Sequence, residues 1–349
     1  MIVVSHRGPY RFQRNDDGTF TANRGAGGVV SALGPLLLDG GAGQPDSTWI
    51  AAAMNEDDAD AAAAGATAGL GVGLELLDLD PREHRLHYDV VSNGVLWFLH
   101  HDLFDRVHRP RFDRRFRDAW DAYVGVNERF AGATDARAAE GDIVLVQDYQ
   151  LSLVPAFLRR RRPDLRIVHF THTPFCGPDT IRVLPDDVAA QLCDSLAGGP
   201  SGFHTERWAA SFDASARAVL SPSAEIVAPF AASLGPDPDT LAAIADEPAA
   251  RAAASALADR VGERLVILRT DRMEPSKNIP RGFAAFDRLL EARSGLRGRV
   301  VFVAMLYPSR ETLPEYLANA NEILQAVARV NERWATSDWT PIVLDTRDD

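Results

Sequence analysis

The chain has 349 residues, 46% of them hydrophobic, two cysteines and a formal net charge of −12. That length and apolar content suit two domains with buried cores, and the acidic balance argues against a nucleic-acid partner, because phosphate neutralisation needs a basic surface. No apolar run approaches the ~20 residues that cross a bilayer, the opening "MIVVSHRGPY" lacks a signal-peptide pattern, and Cys176 and Cys193 have no metal-ligand spacing; the expectation is a cytoplasmic protein with no membrane partner.

In chain order, the first predicted strand is "MIVVS" (1–5), followed by Ser5, His6 and Arg7. The stretch "NRGAGGVVSALGPLL" (23–37) then opens a glycine-rich turn onto an apolar helical pattern. Backbone N–H groups at such a helix start can face a phosphate, although the same residues serve as a plain tight turn. In "YDVVSNGVLWFLHHDLF" (88–104), Tyr88 and Trp97 flank a turn-like "SNG", where they suit either a sugar face or a core. Phe112, Phe116, Trp120, Tyr123 and Phe130 recur at steps of three, four and seven, which predicts a helix.

The next strand, "DIVLVQ" (142–147), leads into Asp148 and Tyr149, and "RIVHFTH" (166–172) ends on His172. A carboxylate and an imidazole at successive strand mouths could hydrogen-bond sugar hydroxyls or relay a proton; each also suits a satisfied buried polar group. The run "RRRR" (159–162) before a proline reads as the solvated, cationic C-terminus of a helix. Val188, Leu192 and Leu196 predict another helix, and "RAVLS" (217–221) another strand. Residues 223–262 shift sharply toward Ala, Asp and Pro and read as a linker with surface helices, placing a domain boundary near 232.

Three further strands follow: "RLVILRT" (264–270), "RVVFVAML" (299–306) and "PIVLD" (341–345). Near-continuous apolar strands of this kind are expected to be buried on both faces of a parallel sheet, and their alternation with helices predicts α/β architecture. The first of them is followed by Arg272, Lys277 and Arg281, with Ser276 as the expected helix N-cap. Two cations beside a helix start make a diphosphate clamp. Arg310, in "YPSRETLPEY", adds a third cation at the next strand end.

Taken together, these segments resemble the trehalose-6-phosphate synthases, retaining glycosyltransferases of family 20. "VVSHRGP", "GAGGVVSAL", "YDVVSNGVLW", "QDYQLSLVPAFLR", "FTHTPFCGPDTIRVLP", "DRMEPSKNIPRG" and "YPSRETLPEY" occur in the family's order. The resemblance implies a GT-B fold of two Rossmann-like domains, residues 1–232 and 233–349, the second incomplete because the family's later donor-binding loop has no counterpart here. It also implies that Arg7, Tyr88, Trp97, Asp148 and Arg310 hold the acceptor, glucose 6-phosphate, and that Gly28, His172, Arg272 and Lys277 face the donor. Asp148, Arg272 and Lys277 would carry the chemistry, with a nucleoside-diphosphate glucose as co-substrate and no cofactor or bound metal. Departures stand at Gln147 and Gln150, where the family has histidines, and at Met273, Glu274, Pro275 and Asn278 in place of Leu, Asp, Tyr and Gly. They leave open a related transferase with another acceptor, such as a glucosylglycerol-phosphate synthase or a pseudo-glycosyltransferase, or a catalytically silent binding protein. The donor's base and homo-oligomer formation are left open as well.

Overall fold

The computed structural model describes residues 1–25, 28–38, 47–103 and 111–347. The chain divides into two compact units, Met1–Leu234 and Gly235–Asp349.

The strands of the first unit are β1 (Ile2–Arg7), β2 (Tyr10–Arg14), β3 (Phe20–Arg24), β4 (Thr48–Ala52), β5 (Gly73–Leu77), β6 (Ile143–Gln147), β7 (Arg166–Thr171), β8 (Ser201–Phe203) and β9 (Phe230–Ala231). Strands β2 and β3 form an antiparallel hairpin, and the other seven make one parallel sheet in the order β5-β4-β1-β6-β7-β8-β9. The order runs outward in opposite directions from the β1/β6 pair, where Ile2 lies beside Val144. Such a reversal opens a crevice at the carboxyl ends of the two strands, the usual ligand site of an open α/β sheet. Val3, Val4, Val144 and Val146 are fully buried, so the crevice stands on a rigid floor.

The predicted helix around Trp120 spans Arg114–Arg137, capped by the Asp113 carboxylate, which accepts from the N–H groups of Arg115 and Phe116. Its buried Phe116, Trp120, Tyr123 and Phe130 keep the predicted spacing. Of the arginine run, Arg159 is not a solvated charge: it donates to the Ser195 carbonyl at 2.7 Å. Expected strand "RAVLS" is instead the end of helix Glu206–Val219, whose Phe212, Ser215 and Ala216 are buried at helical spacing. A short apolar run does not by itself distinguish strand from helix. Strands β2, β3, β4, β5, β8 and β9 were not anticipated.

In the second unit, β10 (Leu265–Arg272), β11 (Val300–Tyr307) and β12 (Ile342–Asp345) form a parallel sheet in that order. Phe302, Ala304 and Leu306 pack against Phe283, Phe286 and Leu290 of helix Ile279–Ala292 and Ile323 and Val330 of helix Pro314–Trp334. Val301 and Val303, one residue out of step, face Val261 and Leu257 of helix Pro248–Val261, as the two-residue period of a strand requires. Burial of β10 on both faces does not hold: Leu265 is 61% and Leu268 59% exposed. Among the described residues β10 has a neighbour on one side only. The expected Ser276 cap is also corrected. Pro275–Lys277 form a 3-10 turn, and the helix starts after Asn278, which sits at φ +50°. Among the described residues no helix is long and apolar enough to cross a membrane.

Candidate functional site

At the end of β1, Ser5 accepts from the Trp49 indole at 2.7 Å and donates to the Arg7 carbonyl at 2.6 Å, which fixes the turn beyond the strand. The buried His6 ring stacks on Tyr88, with centroids 4.4 Å apart and planes 7° from parallel. The Arg7 guanidinium lies 5.8 Å from the centroid of the same Tyr88 ring, within cation–π reach. Sequence-predicted residues Arg7 and Tyr88 are thus brought together.

Tyr88 is held on an 11-residue π-helix, Leu86–Leu96, a wide coil that recurs at functional sites in shorter form. His87 of this segment contacts the Gln150 carbonyl through Nε2 at 2.9 Å, and Asn93 accepts from the Tyr149 hydroxyl at 2.7 Å. A Cβ at Gly94 would stand 2.9 Å from the Asp89 carbonyl oxygen, so this coil requires glycine there. Trp97, the other predicted aromatic, is only 2% exposed and lies against His101, with centroids 4.1 Å apart.

Asp148 follows β6 directly, at the topological switch. Its backbone has φ +69° and ψ 169°, a region that only glycine occupies readily and that strains other residues by about 1–3 kcal/mol. The conformation is held from three sides. The Asp148 N–H donates to the Phe170 carbonyl at 2.7 Å, its carbonyl meets His169 Nε2 at 3.1 Å, and its Oδ1 accepts from the His172 N–H at 3.1 Å. Strain of this kind clusters at active sites and ligand clamps.

His172, at the mouth of β7, meets Gln147 Oε1 through Nε2 at 2.9 Å and His204 Nε2 through Nδ1 at 3.2 Å. An amide oxygen can only accept. His172 therefore carries its proton on Nε2, and His204 donates to Nδ1. Burial lowers the pKa of His172, against the pull of Asp148 and together with the repulsion of His204. Burial lowers the pKa of His204 as well, against the pull of Asp148. His204, at the end of β8, is a residue that the sequence reading missed; the three-residue strand before it carried too little periodicity to mark its mouth. Gly28 is the first residue of helix Gly28–Leu37, exposed and with open space where a side chain would stand. Ala26 and Gly27 of the same loop lie outside the described residues.

In the second unit, β10 and β11 end in register at Arg272 and Tyr307. Arg272, half-exposed, contacts Glu274 Oε1 through Nε at 3.2 Å. Lys277 stands 3.8 Å from Asp271, which also pairs with Arg269 at 2.9 Å, and Arg269 donates to the Lys277 carbonyl. Arg310, at φ +48°, donates to the Tyr316 hydroxyl and lies 3.5 Å from Glu274 Oε1. Arg281 is exposed in the first turn of helix Ile279–Ala292. The strand-end cations are therefore anchored from behind by carboxylates. Glu274, only 3% exposed, is the second residue missed, because its partners come from a loop 35 residues on. Among the described residues no group of three or more His, Cys, Asp or Glu side chains is placed to hold a metal ion.

The sequence pattern of glycosyltransferase family 20 matches residues 1–348. A trehalose-6-phosphate synthase of Mycobacterium sp. (strain KMS) is 34% identical over 356 aligned positions, which take in 95% of this chain and 68% of that protein. The UDP-forming alpha,alpha-trehalose-phosphate synthase of Schizosaccharomyces pombe is 29% identical, over 98% of this chain and 67% of its own. Among solved structures, a UDP-forming alpha,alpha-trehalose-phosphate synthase from Burkholderia vietnamiensis is 25% identical and superposes with a TM-score of 0.81, covering all of this chain and 74% of the other. The chain spans about two thirds of the length of the curated relatives it matches, and the likeness bears out the expected GT-B, α/β class.

Proposed function

The chain belongs to glycosyltransferase family 20, and from that premise we propose that it is a retaining glucosyltransferase moving glucose from UDP-glucose to glucose 6-phosphate, to give trehalose 6-phosphate. The observation that carries this reading is the family match over residues 1–348. Supporting it, the motif residues Arg7, Tyr88, Asp148 and His172 lie at strand ends around the first unit's switch point or on the coil packed beside it.

Arg7, Tyr88, Trp97, Asp148 and Arg310 take the acceptor, Arg7 and Arg310 gripping its phosphate. Gly28, His172, Arg272 and Lys277 face the nucleotide-sugar donor, the last two on its diphosphate. The acceptor's anomeric hydroxyl forms a bond to the donor's C1 while the bond from C1 to the diphosphate oxygen breaks on the same face. The hydroxyl proton passes to that departing phosphate oxygen. Asp148 accepts a hydrogen bond from the acceptor and orients it, and the two cations stabilise the charge that grows on the leaving group. The nucleotide is taken as UDP because the Schizosaccharomyces pombe relative is UDP-forming.

The test is to incubate the chain with UDP-glucose and glucose 6-phosphate and follow UDP release together with the 1,1-linked disaccharide phosphate by carbon NMR. Formation of that product supports the assignment, and Lys277→Ala is expected to lower kcat/KM by about 100-fold, the loss typical of one transition-state charge partner, with an unchanged unfolding midpoint. Product formation with glycerol 3-phosphate but not glucose 6-phosphate would overturn the acceptor assignment. Binding of glucose 6-phosphate without turnover would favour an incomplete transferase, and the absence of sugar-phosphate binding a catalytically silent binding protein.

A further inference from the structure

Two of the cations assigned above to different substrates share one buried anchor. Glu274 Oε1 lies 3.2 Å from Arg272 Nε and 3.5 Å from Arg310 Nη1, and it accepts from the Ser309 hydroxyl at 3.3 Å. The glutamate side chain is 3% exposed, that of Arg310 13% and that of Arg272 48%. Its backbone is fixed as well: the Glu274 N–H donates to the Arg272 carbonyl at 2.7 Å, and its carbonyl accepts from the Lys277 N–H at 3.0 Å. Tyr316 braces Arg310 through its hydroxyl, and its ring lies 5.2 Å from the Arg310 guanidinium.

We propose that Glu274 is a positioning residue for both substrates, a single carboxylate oxygen that orients the donor-side Arg272 and the acceptor-side Arg310 together. The inference rests on the assignment of those two arginines made under the proposed function. The grip on Arg272 is at Nε, which turns its two terminal nitrogens outward as a fork for phosphate oxygens, whereas Arg310 is held at Nη1, a contact that together with Tyr316 fixes the plane of its guanidinium. An arginine left half-exposed without that grip must be ordered anew each time an anion binds, at a cost in affinity. Removing the carboxylate also removes a negative charge, which by itself favours anions. At Arg272, half in water, that gain is screened, so the loss of order decides the sign.

The experiment is calorimetric titration of the chain with UDP-glucose and, separately, with glucose 6-phosphate. Glu274→Gln, nearly isosteric, is expected to weaken both affinities about tenfold, the scale of one charge-assisted hydrogen bond, whereas Arg272→Lys weakens UDP-glucose alone and Arg310→Lys glucose 6-phosphate alone. The decisive readout is non-additivity: in an Arg272→Lys background the Glu274→Gln effect on UDP-glucose should vanish while its effect on glucose 6-phosphate persists. A merely structural glutamate would give additive losses, and these would overturn the proposal, as would tighter binding or an effect on one ligand only. If Arg272→Lys and Arg310→Lys change neither affinity, the site assignment itself falls, and the inference falls with it. Lysine variants that each weaken their own ligand as expected, beside a Glu274→Gln that changes neither affinity, sink only the inference.

Discussion

Asp148 holds a backbone conformation that no L-residue favours, with φ +69° and ψ 169°, and the fold tolerates it because Phe170, His169 and His172 bind it from three sides. Strain and function can be separated by comparing two variants that both lack the carboxylate. Asp148→Gly should be more stable than Asp148→Ala by about 1 kcal/mol, because glycine meets no steric penalty there, less what its freer unfolded chain costs. Both should lose affinity for glucose 6-phosphate alike. Urea midpoints check the first statement, and an alanine variant as stable as the glycine one would show the site to be unstrained. Asp148 was legible as a polar residue at a strand mouth, but its strain was not, since nothing in "LVQDYQ" distinguishes a forced aspartate from a relaxed one. Glu274 was legible only as a departure from its family. Its meaning needs Arg310 and Ser309 brought to it by β11, and tertiary contacts of that span leave no local signal.

Elements were readable where β-branched apolar runs stood between turn residues, as in β6, β7 and β11. Strands β8 and β9 are too short to show a period, and β10 was read as a strand but carries the composition of an inner strand on a sheet edge. That edge gives a contrast in stability. Leu268→Ala, at a position 59% exposed, should cost less than about 0.5 kcal/mol, whereas Leu290→Ala, fully buried on the next helix, should cost about 2–5 kcal/mol. Equal losses in urea unfolding would mean that β10 is covered in solution. In the first unit, β8 is squeezed between its neighbours at Gly202, where a Cβ would stand 2.6 Å from the Phe170 ring and 2.5 Å from that of Phe230. Gly202→Ala should therefore destabilise the first unit by about 1–3 kcal/mol, the range for overpacking. A variant with the parental thermal midpoint would show that the rings move aside freely. Since β8 carries His204 at its end, the same variant should also loosen the contact between His204 and His172.

At the scale of the whole chain, titratable groups are divided unevenly: all nine histidines fall within the first 204 residues. Burial drives His87 and His100 down to about 3 and His169 to about 4, with His6 also well below its usual value. Their unfolded values lie near 6.5. Above pH 6.5 these imidazoles are neutral in both states, so stability does not depend on them. Below it the unfolded chain takes up protons that the folded first unit refuses, and each buried histidine then withdraws stability on the order of 1 kcal/mol per pH unit until its folded pKa is reached. The second unit, Gly235–Asp349, has no histidine to lose by this route, and ordinary carboxylates titrate mainly below pH 5. Acid between pH 6.5 and 5 should therefore loosen the first unit selectively. Amide hydrogen exchange at pH 7.5 and 5.5, corrected for the intrinsic rate, should show protection falling across β6 and β7 while β11 keeps its own. Equal loss in both units, or earlier loss at β11, would refute a histidine origin.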